Sequence, residues 1–218
     1  MSKIKVKICC ISSPQEAKEA IHFGASALGL VAEMPSGPGT ISDKLINEII
    51  RIIPPPIASF LLTSRTDSQA IIQHQKSVHS NTIQIVDSLK SGSYDDFRLK
   101  IPSIKIVQVI HVIHEKSVEE AIEISEKVDA LLLDSGNPNL AVKELGGTGR
   151  THNWALSRQI VEQSKVPVFL AGGIKAENVR AAIEEVQPYG VDLCSSVRTD
   201  GKLDVFKLER FFKEITNI

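Results

Sequence analysis

Two side chains in this sequence have the chemistry of an acid–base pair. Cys9 lies two positions after Lys7 in the stretch IKVKICC at residues 4–10. In a strand those two side chains share a face, and a nearby ammonium favours the thiolate. A thiolate there suits a general base. Asp134 ends the apolar run ALLLD at residues 130–134. A carboxyl at the end of a buried strand is poorly hydrated, which favours the protonated form that a general acid needs. Each residue has a plainer alternative: a small cysteine commonly only packs, and a carboxylate caps loops or pairs with lysine. Cys10, on the other face of the strand, is expected to pack against helices.

A third feature is a pair of strand ends made of small residues. The run VFLA at 168–171 stops at Gly172 and Gly173, and GVDL at 190–193 stops at Cys194, Ser195 and Ser196. Small residues let backbone N–H groups approach a ligand, and a following helix N-terminus favours an anion. A phosphate site fits this pattern; a tight turn that only makes room for the chain fits it equally well.

Other candidates are weaker. The six histidines are scattered, and only His111 and His152 fall where a ligand would be. The three cysteines form no CxxC or Cys/His ligand spacing, so neither a metal nor a disulfide framework is expected. A reducing, cytoplasmic setting fits that usage. GGTGRT at 146–151 lacks the GK[ST] ending of a P-loop and reads as a lid with glycine hinges.

The elements that must hold these residues alternate. Strands are expected at 4–11, 26–31, 57–62, 82–86, 104–113, 130–134, 168–171 and 191–194, each followed by a helical pattern. Ser12 or Ser13 caps the first helix, Ser42 the second, Thr66 or Ser68 the third, Ser117 the fifth and Asn153 the sixth. Helix four is expected at 93–99, and Asp204 opens the eighth. Phe206, Phe211 and Phe212 on that last helix read as core contacts. Eight βα units argue for a (β/α)8 TIM barrel in a single domain over residues 1–218. An open dinucleotide-binding sheet would want a Gly-rich turn after strand one, where residues 10–14 contain no glycine. In such a barrel Cys9, Asp87, Asp134 and the two small-residue ends all lie at the C-terminal mouth.

Bulk properties remove other classes. A net charge of −1 over 218 residues gives no electrostatic basis for nucleic acid or an anionic membrane. The N-terminal stretch has no signal-peptide h-region, and no apolar run reaches the roughly 18 residues of a membrane span.

The chain resembles the phosphoribosylanthranilate isomerase family of tryptophan biosynthesis. The matching pieces run in family order along nearly the whole chain. They are VKIC at 6–9, GA-ALG at 24–29, LLLD at 131–134, GGTG-T at 146–151 with Trp154, AGGI with ENV at 171–179, and PYGVD at 188–192. The resemblance implies an Amadori rearrangement of N-(5-phosphoribosyl)anthranilate, an aldose–ketose isomerisation, with no cofactor or metal. It makes Cys9 the base that removes the C2 proton and Asp134 the acid that opens the furanose ring. Gly172, Gly173, Cys194, Ser195 and Ser196 would hold the phosphate. Lys7, Gln84, Asp87 and Gly147 are further candidate substrate contacts.

The chain departs from the family pattern at four places. The segment PSGPGTIS (35–42) lacks the usual Arg, and QIVD (84–87) lacks the usual His. Cys10 replaces a usual Gly, and so does Ser196. Arg150 and Arg198 are candidates for the missing positive charge at the carboxylate end. Two alternatives follow from these losses: an isomerase of another N-linked phosphosugar, or a non-catalytic barrel that binds a phosphometabolite. The sequence carries no reading of oligomeric state.

Overall fold

The structure, a computed structural model, describes residues 4–35, 37–137, 140, 143–145 and 149–216. Eight parallel strands close into a barrel in the order β1 to β8, with β8 pairing back to β1. The strands are β1 (Lys5–Ile8), β2 (Ala27–Val31), β3 (Ala58–Thr63), β4 (Thr82–Ile85), β5 (Lys105–His111), β6 (Ala130–Asp134), β7 (Val168–Leu170) and β8 (Gly190–Leu193). Each is followed by a helix: α1 (Pro14–Phe23), α2 (Asp43–Ile50), α3 (Ser68–Val78), α4 (Tyr94–Lys100), α5 (Lys116–Ser125), α6 (Trp154–Gln163), α7 (Val179–Val186) and α8 (Val205–Thr216).

Strand alternation divides the apolar residues into two cores. Val6, Ile8, Leu28, Leu30, Leu131 and Leu133 face outward and pack with the helices. Cys9, Val31, Phe60, Leu62, Val109, Leu132 and Phe169 face inward and fill the barrel. Burial on both faces is why these strands read as near-continuous apolar runs. The interior also contains charge. Lys7 is fully buried and its Nζ donates to Asp192 Oδ2 at 2.8 Å. Asp192 is the register partner of Lys7 on the adjoining strand, and the same ammonium lies 5.4 Å from the Phe60 ring centroid.

Helix starts follow local chemistry. Ser13 Oγ accepts from the Glu16 N–H, Ser42 Oγ from Leu45, and Asn153 Oδ1 from Ala155 and Leu156. Two expected caps differ. Asp67, between the two candidates, caps α3 by accepting from the Ala70 N–H at 2.8 Å. Ser117 lies inside α5, where its hydroxyl donates to His111 O and accepts from the Ile113 N–H. On α8, Phe211 and Phe212 are buried, but Phe206 is 82% exposed. It occupies the outer face, so it is not a core contact.

Beyond β8 the chain makes a single 3-10 turn (Ser195–Val197) and a small hairpin, β9 (Arg198–Thr199) with β10 (Lys202–Leu203). The hairpin turn is Asp200-Gly201, with φ of 50° and 77°. That dipeptide is a strong local signal for such a turn.

The first strand is shorter than its alternation suggests. It ends because Cys10 takes φ 63°, the left-handed region that a side chain with a Cβ disfavours. The turn carries the Cys10 side chain into the barrel mouth, so it does not pack against the helices. The expectation for Cys10 is corrected on this ground.

Candidate active site

The C-terminal mouth of the barrel holds a cavity of about 740 Å³, part of it open to solvent. Cys9, Gln84, Asp134, Gly172, Gly173, Cys194, Ser195 and Ser196 all line it. Eight residues scattered from position 9 to position 196 thus meet at one place. Val31, Leu62, Val86, Val109, Leu132 and Leu145 make the wall opposite the small-residue ends apolar.

Cys9 is buried at the end of β1, and its N–H donates to Leu193 O at 2.7 Å. Its thiol is held below the ordinary thiol range. The largest cause is a hydrogen bond from the Cys10 thiol; burial opposes it, and the Lys7 charge adds to it. Gly29 on β2 makes room for this arrangement. A Cβ there would come 2.8 Å from Cys9 Sγ and 3.1 Å from Lys7 Nζ. Only glycine at that position lets the thiol and the ammonium sit side by side.

Lys7 is held above its ordinary range. Burial alone would lower it, and the Asp192 carboxylate, with Cys9, more than offsets that. Asp192 is itself raised, chiefly by its own burial, despite the pull of Lys7. The ammonium has a carboxylate oxygen at 2.8 Å and a ring face beside it, and both favour its charged form. Lys7 is therefore engaged beneath the cavity floor, and the expectation that it contacts substrate is corrected. Its role is to supply field to Cys9.

Asp134 ends β6, 7% exposed, and its Oδ1 accepts from the Ser135 N–H at 2.7 Å. In the closed order, β7 and β8 lie between β6 and β1 on the short way round. Acid and base candidates therefore flank the two small-residue ends.

Those ends have the expected shape. Gly172 and Gly173 have φ of 73° and 65°, consecutive left-handed residues. A Cβ at Gly173 would come 2.7 Å from the Arg150 backbone, and one at Gly172 would come 3.0 Å from Ser135 Oγ. Asn178 fixes the turn: its Nδ2 donates to Gly173 O and its Oδ1 accepts from the Lys175 N–H. Ser195 begins the 3-10 turn, whose first N–H groups have no partner inside the turn. Ser196 Oγ is buried without a hydrogen-bond partner. Gln84 Oε1 and Asp192 Oδ1, also on the cavity wall, are unpartnered as well. Buried polar atoms of this kind are costly unless a ligand completes them.

The remaining candidates fall elsewhere. Asp87 is ion-paired to Lys143, and Arg150 to Glu144 at the rim. Arg198 is buried, 9% exposed, with Nη1 and Nη2 on the Glu16 carboxylate at 3.1 and 3.0 Å. Its guanidinium also donates to the carbonyls of Cys9 and Cys10. Arg198 therefore clamps the end of β1, and the expectation that it meets a substrate carboxylate is corrected. His111 Nε2 bonds Val86 O at 3.1 Å, and His152 Nε2 bonds Ser157 Oγ at 2.7 Å; neither lines the cavity. Burial lowers His152 to about 4, with Asp134 opposing. Gly147 lies outside the described residues. Among the described residues, no group of three or more His, Cys, Asp or Glu side chains is arranged to hold a metal ion.

Asp192 was not singled out from the sequence. The signal was its place in GVDL, where an acid interrupts a buried strand. Such a residue needs a partner, and Lys7, a buried cation on the adjoining strand, supplies one.

Comparison with known proteins agrees with this geometry. A family model described as N-(5'phosphoribosyl)anthranilate (PRA) isomerase matches residues 6–214. The N-(5'-phosphoribosyl)anthranilate isomerase of Methanosarcina acetivorans is 36% identical, over 98% of this chain and 93% of that protein. The crystal structure of phosphoribosyl anthranilate isomerase from Thermotoga maritima superposes with a TM-score of 0.81 at 27% identity, over 99% of this chain and 100% of that one. A phosphoribosyl anthranilate isomerase in complex with reduced 1-(o-carboxyphenylamino)-1-deoxyribulose 5-phosphate gives 0.78 at 25% identity, with the same coverage of both chains. The barrel, its mouth and these matches lead to one statement: this chain belongs to the N-(5'-phosphoribosyl)anthranilate isomerase family.

Proposed function

We propose that this chain isomerises N-(5'-phosphoribosyl)anthranilate to 1-(2-carboxyphenylamino)-1-deoxyribulose 5-phosphate, a step of tryptophan biosynthesis. The observation that carries the proposal is the placement of Cys9 and Asp134 on either side of the two small-residue ends in one cavity. The phosphate sits on the N–H groups of Gly172, Gly173, Ser195 and Ser196, with Ser196 Oγ completing the shell. Anchoring there puts the sugar between the acid and the base. Asp134 protonates the ring oxygen, the furanose opens, and the nitrogen lone pair forms the iminium. Cys9 then takes the proton from C2, giving an enolamine that tautomerises to the ketone. The Lys7 ammonium and the Cys10 thiol favour the ionised form of the Cys9 sulfur that this step needs.

The apolar wall opposite the phosphate end suits an aromatic aglycone. Among the described residues, no Arg or Lys side chain lines the cavity. Lys143 and Arg150 stand between β6 and α6, ion-paired to Asp87 and Glu144. We assign the carboxylate contact to that segment. Departure from the family pattern at this end favours, as a second reading, the same isomerisation on another N-linked phosphosugar. Three free thiols fit a reducing, cytoplasmic setting, and no helix among the described residues is long and apolar enough to cross a membrane.

The test is turnover of freshly prepared N-(5'-phosphoribosyl)anthranilate, followed by loss of its anthranilate-type fluorescence and by product mass. A rate no faster than the buffer blank refutes the first reading. Inhibition by the reduced product analogue without turnover would favour the non-catalytic barrel.

A further inference from the structure

Cys10 and Cys194 are 184 residues apart in sequence, yet their sulfurs lie 2.8 Å from one another at the barrel mouth. Both are free thiols. The separation is about 0.8 Å longer than a covalent S–S bond, so little movement joins them. The Cys10 backbone is held in a disfavoured conformation. Cys10 has φ 63°, which its Cβ disfavours, and Cys194 has φ −130° with ψ −87°, outside the helical and extended regions. These conformations turn the two side chains toward each other.

The surroundings hold them there. Arg198 donates to Cys10 O from one side, anchored by Glu16. On the other, the segment between β2 and α2 closes over Cys10: its thiol lies 3.5 Å from Pro38 O, and a Cβ on Gly39 would come 2.6 Å from Cys10 Cβ. Both sulfurs belong to the cavity lining, but access differs: Cys10 is 4% exposed, while Cys194 is half-buried. A small oxidant entering the mouth meets Cys194 with Cys10 already behind it.

We propose that Cys10 and Cys194 are a peroxide-reactive dithiol that closes to a reversible disulfide. The Cys194 sulfur attacks one oxygen of a hydroperoxide, the O–O bond breaks, and water or an alcohol leaves with the thiol proton. Cys194 is now a sulfenic acid. The Cys10 sulfur attacks it, the S–OH bond breaks, and the hydroxide leaves as water with the Cys10 proton. Two thiols and one hydroperoxide thus give one disulfide, one water and one water or alcohol, with two electrons passing from sulfur to the O–O bond. A small dithiol reverses the change.

Closure has two consequences for the site. It takes the proton from the Cys10 thiol next to Cys9, and it pulls Cys194, the residue that precedes Ser195 and Ser196, toward the end of β1. Loss of turnover therefore rests on the reading of the site given above; formation of the disulfide does not.

The experiment treats the reduced wild type with equimolar hydrogen peroxide, blocks remaining thiols with N-ethylmaleimide and maps the digest under non-reducing conditions. The expected product is a linked peptide pair containing Cys10 and Cys194, with Cys9 alkylated. Cys10→Ser and Cys194→Ser, each checked for fold by circular dichroism, both lose that pair. A Cys9–Cys10 or Cys9–Cys194 link, or alkylation of both Cys10 and Cys194, overturns the proposal. Turnover of the oxidised wild type falls about tenfold or more, as a shift approaching 1 Å at a site should cause, and dithiothreitol restores it. A complete Cys10–Cys194 link with undiminished turnover keeps the disulfide and overturns its consequence. Wild-type turnover absent before oxidation refutes the isomerase reading and leaves the peptide map to decide the disulfide alone.

Discussion

The two ends of this barrel both hold cavities, and the larger is not the candidate site. The hollow at the N-terminal floor spans about 1380 Å³ against about 740 Å³ at the mouth, each partly open to solvent. Ala27, Ala58, Val107, Ala130 and Phe169 make the floor spacious and apolar. Its acid, Asp129, is already paired with Arg98 and Lys105 and accepts from the Ile106 N–H. The mouth instead carries Gln84 Oε1, Asp192 Oδ1 and Ser196 Oγ without partners, with a lowered thiol beside them. Unspent hydrogen-bonding capacity, more than volume, distinguishes a site from a gap in the packing. The Lys7–Asp192 pair and the Phe60 ring form the layer that divides the two.

The largest expected difference between the ends is catalytic. Cys9→Ala and Asp134→Asn should each lower kcat by about 10²–10⁴, the usual contribution of a general acid or base, at unchanged far-ultraviolet dichroism. A loss under tenfold in either would take that residue out of its role. Cys9 acts deprotonated and its pKa is depressed, so activity should be lost only as pH falls through a value below the ordinary thiol range of 9.0. Cys10→Ala removes the leading cause of that depression and should move the acid limb of kcat/KM upward.

The dividing layer comes next. Lys7→Met leaves the Asp192 carboxylate buried without its cation, a change that costs about 3–5 kcal/mol in comparable buried pairs. Urea midpoints would read it. A loss below about 1 kcal/mol would mean that water from the mouth already solvates Asp192 and that the pair is not what divides the two ends.

Gly173→Ala tests the phosphate end more narrowly. The new methyl meets the Arg150 backbone in a conformation that disfavours it. KM should rise about tenfold or more with kcat changed less, because binding is common to ground and transition states. Inorganic phosphate should weaken in parallel as a competitive inhibitor. An unchanged KM would remove the β7 end from phosphate binding.

The smallest effect belongs to the floor. Lys105→Ala breaks an exposed ion pair with Asp129, worth about 0–1 kcal/mol. Activity should stay within about twofold of wild type. A larger loss of turnover would mean that the floor cavity reports to the chemistry, and the contrast between the ends would fail.

The elements were legible to different depths. The eight alternating units, the Ser13, Ser42 and Asn153 caps and the strand ALLLD follow from local pattern and appear at or near their expected places. The Asp200-Gly201 hairpin was equally local, but its flanking strands are two residues long and carry no periodicity. At the site, Cys9, Asp134 and the two small-residue ends were visible because each is the last residue or turn of an apolar strand. Arg198 was not, since a lone arginine in sequence shows charge and not its partners. Only the fold reveals Glu16, 182 positions earlier, beneath it.

The amino-acid sequence by itself determined the alternation of strand and helix and the number of units. Those depend on residues within a turn or two of each other and on a period of two. Tertiary structure decided which charges are spent and which remain. Lys7 is neutralised by Asp192, Arg198 by Glu16, and Cys10 is turned by one left-handed residue toward Cys194. Each of those outcomes depends on contacts between positions more than 180 residues apart. Barrel closure, which sets β8 beside β1, is what brings them together.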